Sequence, residues 1–190
     1  MGGEKFDMKT FESLQNLEEM SKYADRFLDL AGEGSSRLVY IYDSKKVIKV
    51  AKNAKGIEQN IEEDKISKDS QAKAVVANVF RVDPRHRFIV SELVKPIITN
   101  DDLKNYFEKI TGASFGELAN VVMKLERRPE TIDEIRNEWI KSAAHVSFAY
   151  GLLPSDVLVV DHWGKTADGR MVMLDYGATK EMWEKFYSHD

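Results

Sequence analysis

The sequence predicts an α+β fold in two parts, a sheet-rich half followed by a helix-rich half. Three observations carry this reading: paired β-rich runs around short polar turns up to residue 94, a change of regime at Pro96, and helical periodicity beyond it. At 190 residues the chain is one large domain or one bilobal unit, long enough to bury a sizeable core.

In chain order, Leu14, Leu17, Met20, Ala24 and Phe27 recur at steps of three and four, which predicts an amphipathic helix over residues 8–30. A glycine turn, Ala31-Gly32-Glu33-Gly34-Ser35-Ser36, ends that pattern. The runs 38–42 and 47–51 then predict a hairpin across Asp43-Ser44-Lys45. Residues 56–69 are charged apart from Ile57, Ile61 and Ile66, which predicts a mostly exposed helix. The runs 75–82 and 87–94 predict a second hairpin across Asp83-Pro84-Arg85-His86.

Glu92 to Pro96 reads as the connection between the two parts. Beyond it the spacing predicts helices over 101–110 and 114–125, the latter opening on Ser114-x-x-Glu117. A longer helix over 131–150 carries a capping box in Thr131 and Glu134 and a stripe of Ile132, Ile135, Trp139, Ala143, Val146 and Tyr150. An apolar run at 157–160 follows, then a hairpin turning at Ala167-Asp168-Gly169, and a closing helix over 180–187. The expected divisions are a helical extension (1–30), a sheet lobe (31–95) and a reduced helical lobe (96–190).

Composition narrows the chemistry. Hydrophobic residues at 43% and charged residues at 32% are ordinary for a folded soluble chain. A net charge of −4 gives no overall basic field, which disfavours nucleic acid as a partner, and Arg127-Arg128 reads as a solvated loop. With no cysteine, disulfides, thiolate nucleophiles and cysteine-held zinc or iron–sulfur sites are excluded. The four histidines are scattered without ligand spacing. No apolar run approaches the ~20 residues of a membrane span, and the N-terminus lacks a signal-peptide pattern, so a cytoplasmic setting is expected.

Taken singly, the residues that carry chemistry are ambiguous. Gly32-x-Gly34 lets a backbone approach a phosphate, but two glycines in a turn more often mean only a turn. No Walker A motif occurs. Lys49 stands in mid-strand between β-branched residues; either the strand is an edge and the lysine faces water, or a carboxylate from the next helix holds it. Glu58, Glu62 and Glu63 are all available there. Asp175 follows an apolar strand and precedes Tyr176-Gly177, which suits a metal ligand beside a phosphate and equally an ordinary turn. Asp156 and Asp161 lie one hairpin upstream, where aspartates also form turns.

Order distinguishes what the single pieces do not. Glycine loop, strand lysine, helix glutamate, connection, long helix, aspartate loop and Asp-aromatic-Gly is the series of protein kinases. The chain resembles the protein-kinase-like superfamily over about residues 27–180. Gly32-Glu-Gly-Ser-Ser-Arg-Leu-Val-Tyr40, Lys55-Gly-Ile-Glu-Gln-Asn-x-x-Glu63 and His162-Trp-Gly with Leu174-Asp-Tyr-Gly177 resemble the small kinase-like proteins of tailed bacteriophages. The resemblance implies a two-lobed fold, with an antiparallel N-lobe sheet bearing one helix and a reduced helical C-lobe. It implies ATP and Mg²⁺ as cofactors, and a location in the host cytoplasm or the virion.

By that resemblance, Gly32, Gly34, Ser35 and Ser36 would cover the nucleotide phosphates. Lys49 would contact the α- and β-phosphates and pair with Glu63, which fits the Gln-Asn-x-x-Glu pattern better than Glu62. Glu92 to Val94 would offer hinge backbone groups to adenine. Asp156 would accept the acceptor's hydroxyl proton, and Asp175, with Asp161, would hold Mg²⁺.

Departures from the pattern are equally specific. Arg37 replaces the third glycine of the loop, and Pro154-Ser155-Asp156 stands where the catalytic loop reads His-Arg-Asp. The second metal position falls on Asp161, or on His162 if one residue is inserted, and a histidine is a softer ligand than Mg²⁺ prefers. Only 13 residues follow Gly177, leaving no Ala-Pro-Glu motif and no helical subdomain for a protein substrate, so the fold is expected to be truncated there. Two functions follow: a minimal ATP/Mg²⁺ phosphotransferase on an unknown acceptor, or a pseudokinase that binds a partner or serves as a structural module. An unrelated α+β fold would instead leave Lys49 and Asp175 far apart.

Overall fold

Two short helices, not one, precede the sheet. The computed structural model describes residues 5–125, 127–152 and 157–187. In it α1 (Met8–Ser13) and α2 (Leu17–Phe27) are separated where Leu14 turns extended and Asn16 caps α2 by accepting a hydrogen bond from Glu19 N–H. Residues 29–33, expected as helix end and turn, form β1 (Asp29–Glu33), so the glycine turn is shortened to residues 34–36.

The fold is α+β. A five-stranded antiparallel sheet is ordered β1-β2-β3-β5-β4, with β2 at Arg37–Ile41, β3 at Lys46–Ala51, β4 at Val79–Val82 and β5 at Phe88–Glu92. Both expected hairpins are present, although residues 75–78 leave the second one, and Val76 forms a parallel bridge with Met173. Because β3 is central, its residues from Val47 to Ala51 are all buried. Side chains alternate between sheet faces. One face sends Tyr40, Ile48, Val50, Phe88 and Val90 into a cluster closed by Phe11, Met20 and Ala24 of the N-terminal helices. The opposite face carries Val39, Val47, Lys49 and Ser91.

α3 (Ala54–Ser67) crosses that second face, capped by the Asn53 side chain on Gly56 N–H. Its seat is tight: a Cβ at Gly56 would lie 2.2 Å from Ser36 O. Contrary to the expectation of an exposed helix, Gln59, Asn60, Glu62, Glu63 and Asp64 are buried with Ile66.

The remaining elements pack around a second, larger core. α4 (Asn100–Thr111), α5 (Phe115–Leu125) and α6 (Glu138–Tyr150) contribute Leu103, Phe107, Leu118, Val122, Ile140 and Val146. α6 starts later than expected. Residues 129–134 form a 3₁₀ turn, Thr131 Oγ1 donates to Arg128 O, and Asn137 is the true cap, accepting from Trp139 and Ile140 N–H. A small antiparallel sheet, β6-β7-β8, joins Lys95–Pro96, Trp163–Lys165 and Met171–Met173. The apolar run at 157–160 leads into β7, and Val160–His162 is a 3₁₀ turn. Gly169, at φ +86°, makes the β7–β8 turn where the sequence placed it. α7 (Lys180–Tyr187) ends the described chain.

Candidate functional site

Lys49 occupies the middle of a central strand at 6% exposure, so the edge-strand explanation of this residue fails. Alternation turns its side chain toward α3, where Glu63, one turn from the helix C-terminus, has a fully buried carboxylate. Nζ donates to Glu63 Oε2 at 2.7 Å and to Leu174 O at 2.7 Å. The ammonium also lies 6.0 Å from the centre of the Tyr176 ring. Of the three glutamates available to Lys49, Glu58 pairs with Lys185 at 2.7 Å and Glu62 with Lys65 at 3.6 Å.

Arg37 of β2 shares the Lys49 face of the sheet. Its Nη2 lies 2.7 Å from Glu63 Oε1 and 2.8 Å from Asp175 Oδ1, and Nη1 donates to Asn60 Oδ1 at 3.3 Å. The contact to Glu63 Oε1 is ionic, not a well-aligned hydrogen bond. Two cations and two carboxylates thus meet from β2, β3, α3 and the end of β8. Burial pushes the Lys49 pKa down, against the raising effect of Glu63. For Arg37, burial opposes the charge but Glu63 and Asp175 overcome it, holding its pKa above the ordinary value. Burial would likewise raise the Asp175 carboxyl, and Arg37, Lys49 and His162 together bring it below the ordinary value.

The Asp175-Tyr176-Gly177 segment is fixed against α3. Tyr176 is buried and donates to Ala77 O at 2.6 Å. A Cβ at Gly177 would lie 2.5 Å from Gln59 O, so only glycine allows this approach. Glu92 accepts two hydrogen bonds from Arg170 Nη2, at 2.8 and 2.7 Å, and one from the Asn78 side chain at 2.9 Å. This clamp holds the end of β5 against the β7–β8 hairpin.

Between these groups lies a cleft of about 490 Å³. Of the residues predicted from sequence, Gly32, Gly34, Ser36, Lys49, Glu92, Val94 and Asp175 line it. Glu63 sits behind Lys49, and Ser35 is exposed within the loop. Asp161 is exposed on the 3₁₀ turn before β7 and does not line the cleft. Asp156 lies outside the described residues. The apolar part of the wall comes from Val39, Ile41, Val47, Ala77 and Leu174, with the buried Ser91 hydroxyl lacking a hydrogen-bond partner among the described residues. Gly32 is not required by the fold: its φ is not positive, and a Cβ there would meet nothing within 4 Å.

Arg37 is visible in the sequence only as a lost glycine, and Gln59 and Asn60 only as letters of the Gln-Asn-x-x-Glu pattern with no role of their own. Ser36 Oγ donates to Gln59 Oε1, tying the loop to α3. Mg²⁺ fits these residues poorly. It prefers hard oxygen ligands in an octahedron, whereas Asp175 is already held by a guanidinium. No group of three or more acidic or histidine side chains converges on a metal position among the described residues. No helix among them is long and apolar enough to cross a membrane. No protein-family model and no curated protein matches this chain.

Proposed function

We propose that the chain is a kinase-like nucleotide-binding protein with a two-lobed arrangement, whose cleft between the five-stranded sheet and the β6–β8 sheet receives an adenine nucleotide. The buried Lys49–Glu63 pair facing Asp175 carries this reading. An ammonium in a central strand is costly to bury, and its geometry suits an anion entering from the cleft better than packing alone. The open space at Gly32 gives phosphate oxygens a path to the backbone, and the apolar wall suits a purine between Val39 and Leu174. The backbone of Glu92 to Val94 would then pair with the edge of the base. The function this favours is binding, as in a pseudokinase acting as a binding or structural module, because the Asp175 carboxylate is engaged by Arg37. A bacteriophage setting remains part of the proposal through the sequence motifs.

One observation favours a second reading, a minimal phosphotransferase on an unknown acceptor: the lysine–glutamate pair that active kinases require is intact. In that case Asp156 would take the acceptor's proton.

A thermal-shift titration with ATP and ADP tests the shared part of both readings. At a ligand concentration of 100 times Kd the wild type should gain about 2.7 kcal/mol of stability, and Lys49→Met should gain none. No shift in the wild type at millimolar nucleotide would remove both readings. Transfer of labelled γ-phosphate, abolished in Asp156→Asn, would then favour the phosphotransferase, and binding without turnover the module.

A further inference from the structure

Arg37 stands at the centre of the charge cluster, and the nucleotide-binding reading above gives it no contact with the ligand. It lines the cleft at 5% exposure, and its guanidinium bridges Glu63 and Asp175 at 2.7 and 2.8 Å. The charges around it balance: Arg37 and Lys49 face Glu63 and Asp175, with His162 close enough to Asp175 to act on it. A divalent ion placed on Asp175 would stand beside the guanidinium, repelled by it and by Lys49, on a carboxylate whose Oδ1 already accepts from Arg37. A planar guanidinium, by contrast, has donors to spare and is suited to share them between a carboxylate and a phosphate.

We infer that Arg37 takes the place a divalent cation would hold at Asp175, so that this cleft receives a phosphate-bearing ligand without a metal ion. The inference rests on the nucleotide reading and deepens it by removing the metal and assigning its charge to the chain. Asp175 then acts as a counterion that positions Arg37. A phosphate arriving in the cleft competes with Asp175 for the guanidinium. This predicts an effect of opposite sign to a metal site: deleting the Asp175 charge strengthens the binding of an anion.

The test uses the full chain, with ADP and Mn²⁺ as separate probes. ADP affinity is measured by calorimetry in EDTA and in MgCl₂, for the wild type and Asp175→Asn. The wild type should bind ADP in EDTA, with no gain from magnesium, and Asp175→Asn should bind metal-free ADP about tenfold more tightly. Binding that requires magnesium and is lost in Asp175→Asn would overturn the inference while leaving the nucleotide reading intact. Mn²⁺ alone, followed by electron paramagnetic resonance, gives the second arm. The wild type should show no Mn²⁺ site that depends on Asp175, and Arg37→Ala should gain one. A wild-type Mn²⁺ site lost in Asp175→Asn would again overturn the inference. If ADP fails in every condition, the nucleotide reading falls and the Mn²⁺ arm still decides whether Arg37 excludes metal. Should Arg37→Ala not fold, the wild type and Asp175→Asn decide the Mn²⁺ arm between them.

Discussion

α3 and α6 are of similar length, and both are packed against the body of the molecule, yet they bury opposite chemistry. α6 turns Ile140, Ala143, Ala144 and Val146 inward, a face that folding alone explains. α3 turns Gln59, Asn60, Glu62, Glu63 and Asp64 inward, and of its apolar residues only Ile66 is fully enclosed. Burying carboxylates and amides costs free energy unless each finds a partner, and a well-packed apolar face would be no less stable. The contrast separates a helix kept for packing from one kept for the polar groups that hold Arg37, Lys49 and Ser36 at the cleft.

Substitutions at the two helices sharpen that contrast. Glu63→Ala should cost the most, about 3–5 kcal/mol in chemical denaturation, because Lys49 and Arg37 both lose a buried counter-charge. Ile140→Ala on α6 should cost about 3 kcal/mol by leaving a cavity, with no effect on ligand binding. A smaller loss of stability for Glu63→Ala than for Ile140→Ala would break the comparison.

Two glycines provide a finer test at the same cleft. Gly177→Ala should destabilise by about 1–3 kcal/mol, since its methyl group would push against the α3 backbone at Gln59. Gly32→Ala should leave stability within about 1 kcal/mol of wild type and weaken nucleotide binding, because its methyl group enters the space left for the ligand. Equal effects on stability would mean that Gly32 is an ordinary structural glycine.

The smallest effect is on pH dependence. Asp175 has a native pKa below its ordinary value of 3.8, so its stabilising contribution is complete above that value and is lost as pH falls toward the native one. Asp83, held by Arg87, adds to the same acid-side loss. Asp175→Asn should therefore flatten part of the acid limb of a stability–pH profile and leave the neutral region unchanged in slope.

Local patterning made much of the fold legible. The β2–β3 pair, the β4–β5 pair and the β7–β8 turn follow from β-rich runs and from Asp43-Ser44-Lys45, Asp83-Pro84 and Asp168-Gly169. Two helix starts fall later than the apolar periodicity places them for one reason: Asn16 and Asn137 are N-caps set inside longer apolar patterns, and side-chain acceptance by asparagine begins α2 and α6 there. The site was legible as an order of residues but not as an environment. Lys49 becomes central only because β5, some forty residues later, adds to β3. Arg37 and Asp175 meet across a sequence separation of 138, which no local pattern encodes. α3 reads as exposed because the partners of Gln59, Asn60 and Glu63 (Ser36, Arg37 and Lys49) come from other elements.

The central claim is that the cleft bordered by α3 binds a nucleotide. Backbone amide NMR during titration with ADP tests it most directly. Saturable shifts are expected at Gly32 to Ser36, Lys49, Glu92 to Val94 and Leu174 to Asp175, absent in Lys49→Met. Shifts confined to other surfaces, or none at millimolar ADP, would contradict it.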